Sequence, residues 1–229
     1  MLEELKEEVW EANRALQRAG LVILTWGNVS GLDAHRGLVV IKPSGVEYDQ
    51  MRPGDMVVVD LNGQVVEGGL RPSSDTPTHL VLYRHFCGVH GIAHTHSTYA
   101  TAWAQACRPL PCYGTTHADN FRGTVPVTEP LPAEAIAGDY EAETGLAIVR
   151  AFDGLDPLEM PAVLVANHGP FTWGETPAKA VENSIVLEQA ALMAAVTEAL
   201  APGVKAISEA LRDKHFLRKH GRDAYYGQA

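Results

Sequence analysis

A chain of 229 residues, 46% hydrophobic and 20% charged, is globular in composition and long enough for one α/β domain with a substantial core. A formal charge of −10 sets it against a nucleic-acid backbone as partner, and no apolar stretch approaches a membrane span. The acidic start Met1-Leu2-Glu3-Glu4 is unlike a targeting peptide, and three cysteines without a CxxC spacing fit thiols in a reducing cytoplasm.

Leu5, Val9, Ala12, Leu16 and Ala19 recur at helical spacing, with Gly20 as the stop. Residues 21–25 read as a strand and 26–31 as a glycine-rich turn; 37–42 is a second strand running into Pro43-Ser44-Gly45. Residues 56–61 and 64–67 form a hairpin around Asn62-Gly63, a dipeptide that accepts two positive φ angles. Asp75-Thr76-Pro77 opens a helix to about residue 86, with proline at its first position. A strand over 91–96 follows, then a helix over 99–106 and a proline- and glycine-rich loop over 108–114. Helices are predicted over 133–152, 177–200 and 204–219, with a buried strand at 162–166. Trp26, Trp103 and Trp173 are read as core or interface packing. No repeat, linker or charge run divides the chain, so residues 1–229 read as one domain.

The chemistry gathers at strand ends. His94-Thr95-His96 closes the apolar run Gly91-Ile92-Ala93, and strand alternation sends both imidazoles to one side. An isolated pair of this kind is more often two ordinary strand-end histidines. His168, in the turn Asn167-His168-Gly169-Pro170 after the strand at 162–166, changes the balance. Three neutral imidazoles with a fourth position left open are the ligand set of a catalytic Zn²⁺. Three turns, Gly27-Asn28, Ser44-Gly45 and Ser73-Ser74, offer backbone N–H groups for an anion, with Lys42 as a nearby positive charge. Ser73-Ser74 reads equally as a helix cap, and Asp75 either as a cap or as a carboxylate beside the metal.

Longer stretches carry a resemblance. Leu24-Thr25-Trp26-Gly27-Asn28-Val29-Ser30, Ile41-Lys42-Pro43-Ser44-Gly45 and Ser73-Ser74-Asp75-Thr76-Pro77-Thr78-His79 are similar to the class II aldolase/epimerase family. So are His94-Thr95-His96-Ser97 and Asn167-His168-Gly169-Pro170. Gly114-Thr115-Thr116-His117-Ala118-Asp119, the run Asp213 to Gly221 and Ala224-Tyr225-Tyr226-Gly227-Gln228 resemble its epimerase branch in particular. Asn120 stands where familiar members carry an aromatic residue.

The resemblance implies a single α/β domain with a central, largely antiparallel sheet flanked by helices, its tail from about 212 contributing to the active site. It implies one Zn²⁺ per subunit on His94, His96 and His168, with Asp75 at or near the ion. Gly27, Asn28, Lys42, Ser44, Gly45, Ser73 and Ser74 would hold substrate, chiefly its phosphate. Asp119 and Tyr226 would be the acid/base pair, reaching the site from a neighbouring subunit of a homotetramer, with Thr115, Glu141 and His215 in support. The implied activity interconverts L-ribulose 5-phosphate and D-xylulose 5-phosphate in the cytoplasm. The C4–H bond is not activated by a carbonyl, so inversion there proceeds by breaking and re-forming C3–C4 in a retro-aldol step. One group takes the C4 hydroxyl proton and another returns one on the opposite face. The alternative is a sugar-phosphate aldolase of the same family, in which a glutamate is expected at position 75; this chain has the shorter Asp75.

Overall fold

β-Branched residues dominate the middle of the sheet, and their alternation decides which helices each face meets. The computed structural model describes residues 2–226. Its strands are β1 (Asn28–Asp33), β2 (Leu38–Ile41), β3 (Val57–Asp60), β4 (Val65–Glu67), β5 (Gly91–His94), β6 (Ala162–Leu164) and β7 (Pro170–Gly174). They form one sheet in the order β4-β3-β2-β1-β5-β7-β6, with every neighbouring pair antiparallel. The helices are α1 (Glu3–Arg18), α2 (Thr76–His85), α3 (Thr98–Gln105), α4 (Thr115–Ala118), α5 (Ala133–Ala137), α6 (Tyr140–Ala151), α7 (Pro177–Leu200) and α8 (Glu209–His220).

Val39, Ile41, Val57, Val59 and Ile92 point to one face, where they pack with Leu80 and Leu82 of α2 and Ile148 of α6. Val40 and Val58 point to the other, against Leu2 and Val9. Val29 and Ala93 meet Leu16 of α1 and Ala180 and Val181 of α7 on that same side. A sheet covered on both faces reads as unbroken apolar runs, as Leu38–Ile41 and residues 57–59 do. Complete burial of side chains such as Val9 and Leu16 contributes about 1.5–3 kcal/mol each.

Several local expectations are corrected. Residues 21–25 are not a strand: Leu24 adopts φ 55° and Gly27 φ 78°, and the chain becomes extended only at Asn28. Gly31, expected in a turn, lies within β1, where a Cβ would stand 2.8 Å from Leu5 and 2.9 Å from Pro177. In the β3–β4 hairpin only Gly63 takes a positive φ, and the Asp60 carboxylate accepts from the N–H groups of Asn62 and Gln64. The helix expected over 133–152 breaks at Gly138, and Asp139 caps the second part by accepting from Ala142 N–H. The last helix starts at Glu209 rather than 204, because Ser208 caps it while Ile207 N–H is held by the Cys112 carbonyl. β7 and α4 were not anticipated. Gly227 and Gln228, the end of the tail pattern, lie outside the described residues.

Candidate active site

The centre of the site is built where β5 and β7 end side by side. His94 is the last residue of β5, opposite Phe171 in the register, and its ring stacks on the Phe171 ring at 4.2 Å. Its Nδ1 lies 2.9 Å from the Pro170 carbonyl, an acceptor only, so Nδ1 carries the proton and Nε2 presents a lone pair. That lone pair faces His96 Nε2 at 3.1 Å. His168 joins them from the turn closed by Val165 N–H donating to the Gly169 carbonyl, with Asn167 at φ 61°. The donor nitrogens of the three lie within 4.8 Å of one another. Burial, then the neighbouring His94 and His96, pushes His168 down to about 3; burial and His94 also lower His96. Both are therefore neutral at pH 7, the form that ligates a metal. Converging imidazole lone pairs fit a divalent ion such as zinc.

Around this centre lies an open cleft of about 550 Å³. All seven predicted substrate residues line it: Gly27, Asn28, Lys42, Ser44, Gly45, Ser73 and Ser74. So do Asp75 and the three histidines. The Lys42-to-Gly45 and Ser73-to-Asp75 segments are laced together, Ser73 N–H donating to the Lys42 carbonyl and Ser44 N–H to that of Arg71. Lys42 is buried, and desolvation brings its pKa down to about 8. The Asn28 amide donates to Ser73 Oγ at 3.0 Å and Asp75 Oδ2 at 2.6 Å. Asn28 Oδ1 is left buried without a donor, a position that a ligand hydroxyl would satisfy. Burial alone would raise Asp75; His94, His79 and the Asn28 amide outweigh it and hold the carboxyl below its ordinary range. Asp75 shares the cleft but is outside the group of converging donor nitrogens.

Asp119 and Tyr226 stand apart from this cleft. Asp119, just past α4, accepts from Arg218 at 3.1 and 2.8 Å through its two oxygens, and from His215 Nδ1 at 3.0 Å. Burial would raise its pKa, but Arg218, His215 and the Lys219 ammonium more than offset it and keep it ionised. Tyr226 folds back so that its N–H donates to the Arg218 carbonyl, and its exposed ring lies 4.8 Å from the Arg218 guanidinium and 4.7 Å from Lys219 Nζ. The chain thus brings Asp119, Tyr226, His215 and Thr115 to one patch on α4 and α8, and places Glu141 with the histidines instead. Sequence reasoning missed Tyr140, whose hydroxyl lies 3.4 Å from His168 Nδ1, and Arg218. Trp103 and Trp173 lie in the core, whereas Trp26 is half exposed on the cleft wall, 6.2 Å from the His96 ring. Its place beside Gly27, at the start of a predicted anion-binding turn, was the available signal for the cleft wall.

Residues 7–195 match the model of the Class II Aldolase and Adducin N-terminal domain. The chain is 52% identical over 227 residues to the L-ribulose-5-phosphate 4-epimerase UlaF of Salmonella paratyphi C (strain RKS4594), covering 99% of this chain and 100% of that protein. Among solved structures it is similar to an L-fuculose 1-phosphate aldolase, with 27% identity, a TM-score of 0.78 and coverage of 93% and 94%. YgbL of Klebsiella pneumoniae, described as a putative aldolase/epimerase/decarboxylase, has 25% identity, a TM-score of 0.72 and coverage of 93% and 99%. The chain belongs to the class II aldolase family.

Proposed function

We propose that the protein is a zinc-dependent L-ribulose-5-phosphate 4-epimerase, working in the cytoplasm as a homotetramer with its sites at subunit boundaries. The observation that carries the reading is the 52% identity, end to end, to proteins bearing that name. Two exposed free cysteines, Cys87 and Cys107, accord with a reducing compartment.

His94, His96 and His168 would hold the ion, with Asp75 beside it. When bound, a zinc ion supplies Lewis acidity that stabilises charge developing on the ketose oxygens as C3–C4 breaks. Lys42, the two serine-bearing turns and Gly27 hold the phosphate, so the aldehyde fragment turns over without escaping. Asn28 Oδ1 accepts from a sugar hydroxyl and fixes the chain of the ketose. Asp119 and Tyr226 of a neighbouring subunit manage the C4 hydroxyl proton, one on each face, with Thr115, His215 and Glu141 in support. The separation of the Asp119 and Tyr226 patch from the histidine cleft within one chain supports that division between subunits.

The test is a coupled assay on L-ribulose 5-phosphate with zinc-loaded and chelator-treated protein. D-xylulose 5-phosphate should form only in the loaded sample. Net release of a free aldehyde without xylulose 5-phosphate would instead favour the aldolase alternative.

A further inference from the structure

Tyr48 belongs to no strand or helix, yet it is 2% exposed and touches both parts of the phosphate end of the cleft. Its hydroxyl lies 2.8 Å from the Trp26 carbonyl and 2.9 Å from the Gly27 carbonyl, sharing one proton between them. Its ring lies under Lys42, with Nζ 4.9 Å from the centroid. The other hydrogen bonds of that ammonium are long, 3.4 Å to each of the Thr25 and Pro43 carbonyls. A buried cation held this loosely takes its position from the aromatic face beneath it.

The two carbonyl contacts have a geometric consequence. In a trans peptide C=O and N–H point in opposite directions, so a Trp26 carbonyl drawn to Tyr48 turns the Gly27 N–H away from it. That N–H meets no protein acceptor among the described residues, and Gly27 is part of the cleft wall. Gly27 cannot restore the turn by itself being replaced, since a Cβ there would stand 2.8 Å from the His94 carbonyl oxygen. Tyr48 is itself anchored from α1: Arg14 donates to its carbonyl at 3.1 Å, and Trp10 Nε1 to that of Met51 at 2.7 Å. Burial and then the Asp75 charge raise the phenol's pKa, so it remains a donor across the working range.

We propose that Tyr48 is a positioning residue that sets the phosphate subsite, orienting the Gly27 N–H and the Lys42 ammonium together, with α1 as its support. The proposal rests on the reading that this end of the cleft takes a phosphate. The probe is inorganic phosphate, titrated calorimetrically into zinc-loaded wild type, Tyr48→Phe and Lys42→Met. Tyr48→Phe keeps the ring and loses the carbonyl anchor, so phosphate affinity and KM for the ketose phosphate should each worsen about 5- to 10-fold. The kcat should stay within about threefold and zinc content should be unchanged, a split that general destabilisation does not produce. Tyr48→Leu loses the ring as well and should bind phosphate more weakly still. If Lys42→Met loses phosphate while Tyr48→Phe binds it within about twofold of wild type, the Tyr48 assignment falls and the phosphate reading stands. If neither substitution affects phosphate, both fall. Should Tyr48→Phe not fold, Arg14→Met tests the same support from α1: about threefold weaker phosphate binding is expected, and unchanged binding overturns the proposal.

Discussion

Lys42 is kept at a cost, and removing it should make the ligand-free protein more stable. The ammonium is buried against two carbonyls and a phenol ring, and desolvation brings it from 10.5 to about 8. At 1.36 kcal/mol per pH unit, the interval corresponds to about 3 kcal/mol of native-state destabilisation at pH 7. The cleft opens to solvent on one side, so about half of that, ~1–2 kcal/mol, is the working expectation. A lysine lowered on folding binds fewer protons in the native than in the unfolded state between pH 8 and 10.5. Its penalty is therefore full below about pH 8, relieved as pH rises from there, and gone above 10.5. Lys42→Met removes the penalty and should raise the unfolding temperature by about 3–6 °C at pH 7. The assay is thermal unfolding at fixed protein concentration in phosphate-free buffer from pH 6 to 11. The gap between variant and wild type should close between pH 8 and 10.5. Added phosphate should narrow the gap at pH 7, because only the wild type gains from binding it. A methionine variant less stable than wild type at pH 7, or a gap constant across that pH range, would refute the reasoning.

His94→Asn and His96→Asn should each lower both zinc content and turnover; full metal occupancy in both variants would move the ion elsewhere. Asp119→Asn and Tyr226→Phe should retain zinc while epimerase turnover falls about 10²-fold or more, and near-normal rates with full zinc would dismiss the pair. If sites span subunits, dissociating and reassembling His96→Asn with Asp119→Asn subunits should recover about a quarter of wild-type activity, because one site in four combines two intact halves. No recovery in properly reassembled tetramers would place each site within one chain. Gly27→Ala puts a Cβ into the His94 carbonyl at a positive φ, and should cost about 1–3 kcal/mol in urea unfolding together with phosphate binding.

What could be read from the chain and what could not divide along physical lines. That the histidines and the small-residue turns would gather in one cleft was legible because residue types suited to metal ligation and anion binding stand at strand ends and turns, whatever the surrounding packing. The path of residues 21–31 was misread because its apolar run matches a strand while Leu24 and Gly27 impose left-handed backbone, a constraint that hydrophobicity does not record. β7 was missed because Pro170 and Gly174 bracket it as they would a loop; its register against β5 and β6 makes it a strand. Tyr48 and Tyr140 were invisible for another reason. Tyr48 anchors the Trp26 and Gly27 carbonyls and Tyr140 reaches His168, all more than twenty positions away, and no local pattern marks such contacts.

The two site carboxylates also bear on how proton transfer is divided. Asp75 is bonded to the Asn28 amide and held low inside the cleft; Asp119 is clamped by Arg218 and His215 and held low outside it. Neither rests in the protonated form, so neither begins a cycle as the acid. A phenol carries its proton at neutral pH, which makes Tyr226 the donor of the proposed pair and Asp119 the acceptor in the resting protein. Asp75 keeps its charge through the Asn28 amide and the neighbouring histidines. The same features suit a carboxylate that stays charged beside a cation. In the proposed reading the cleft would hold charge and the α4–α8 patch would move protons, the division that an inversion at C4 calls for.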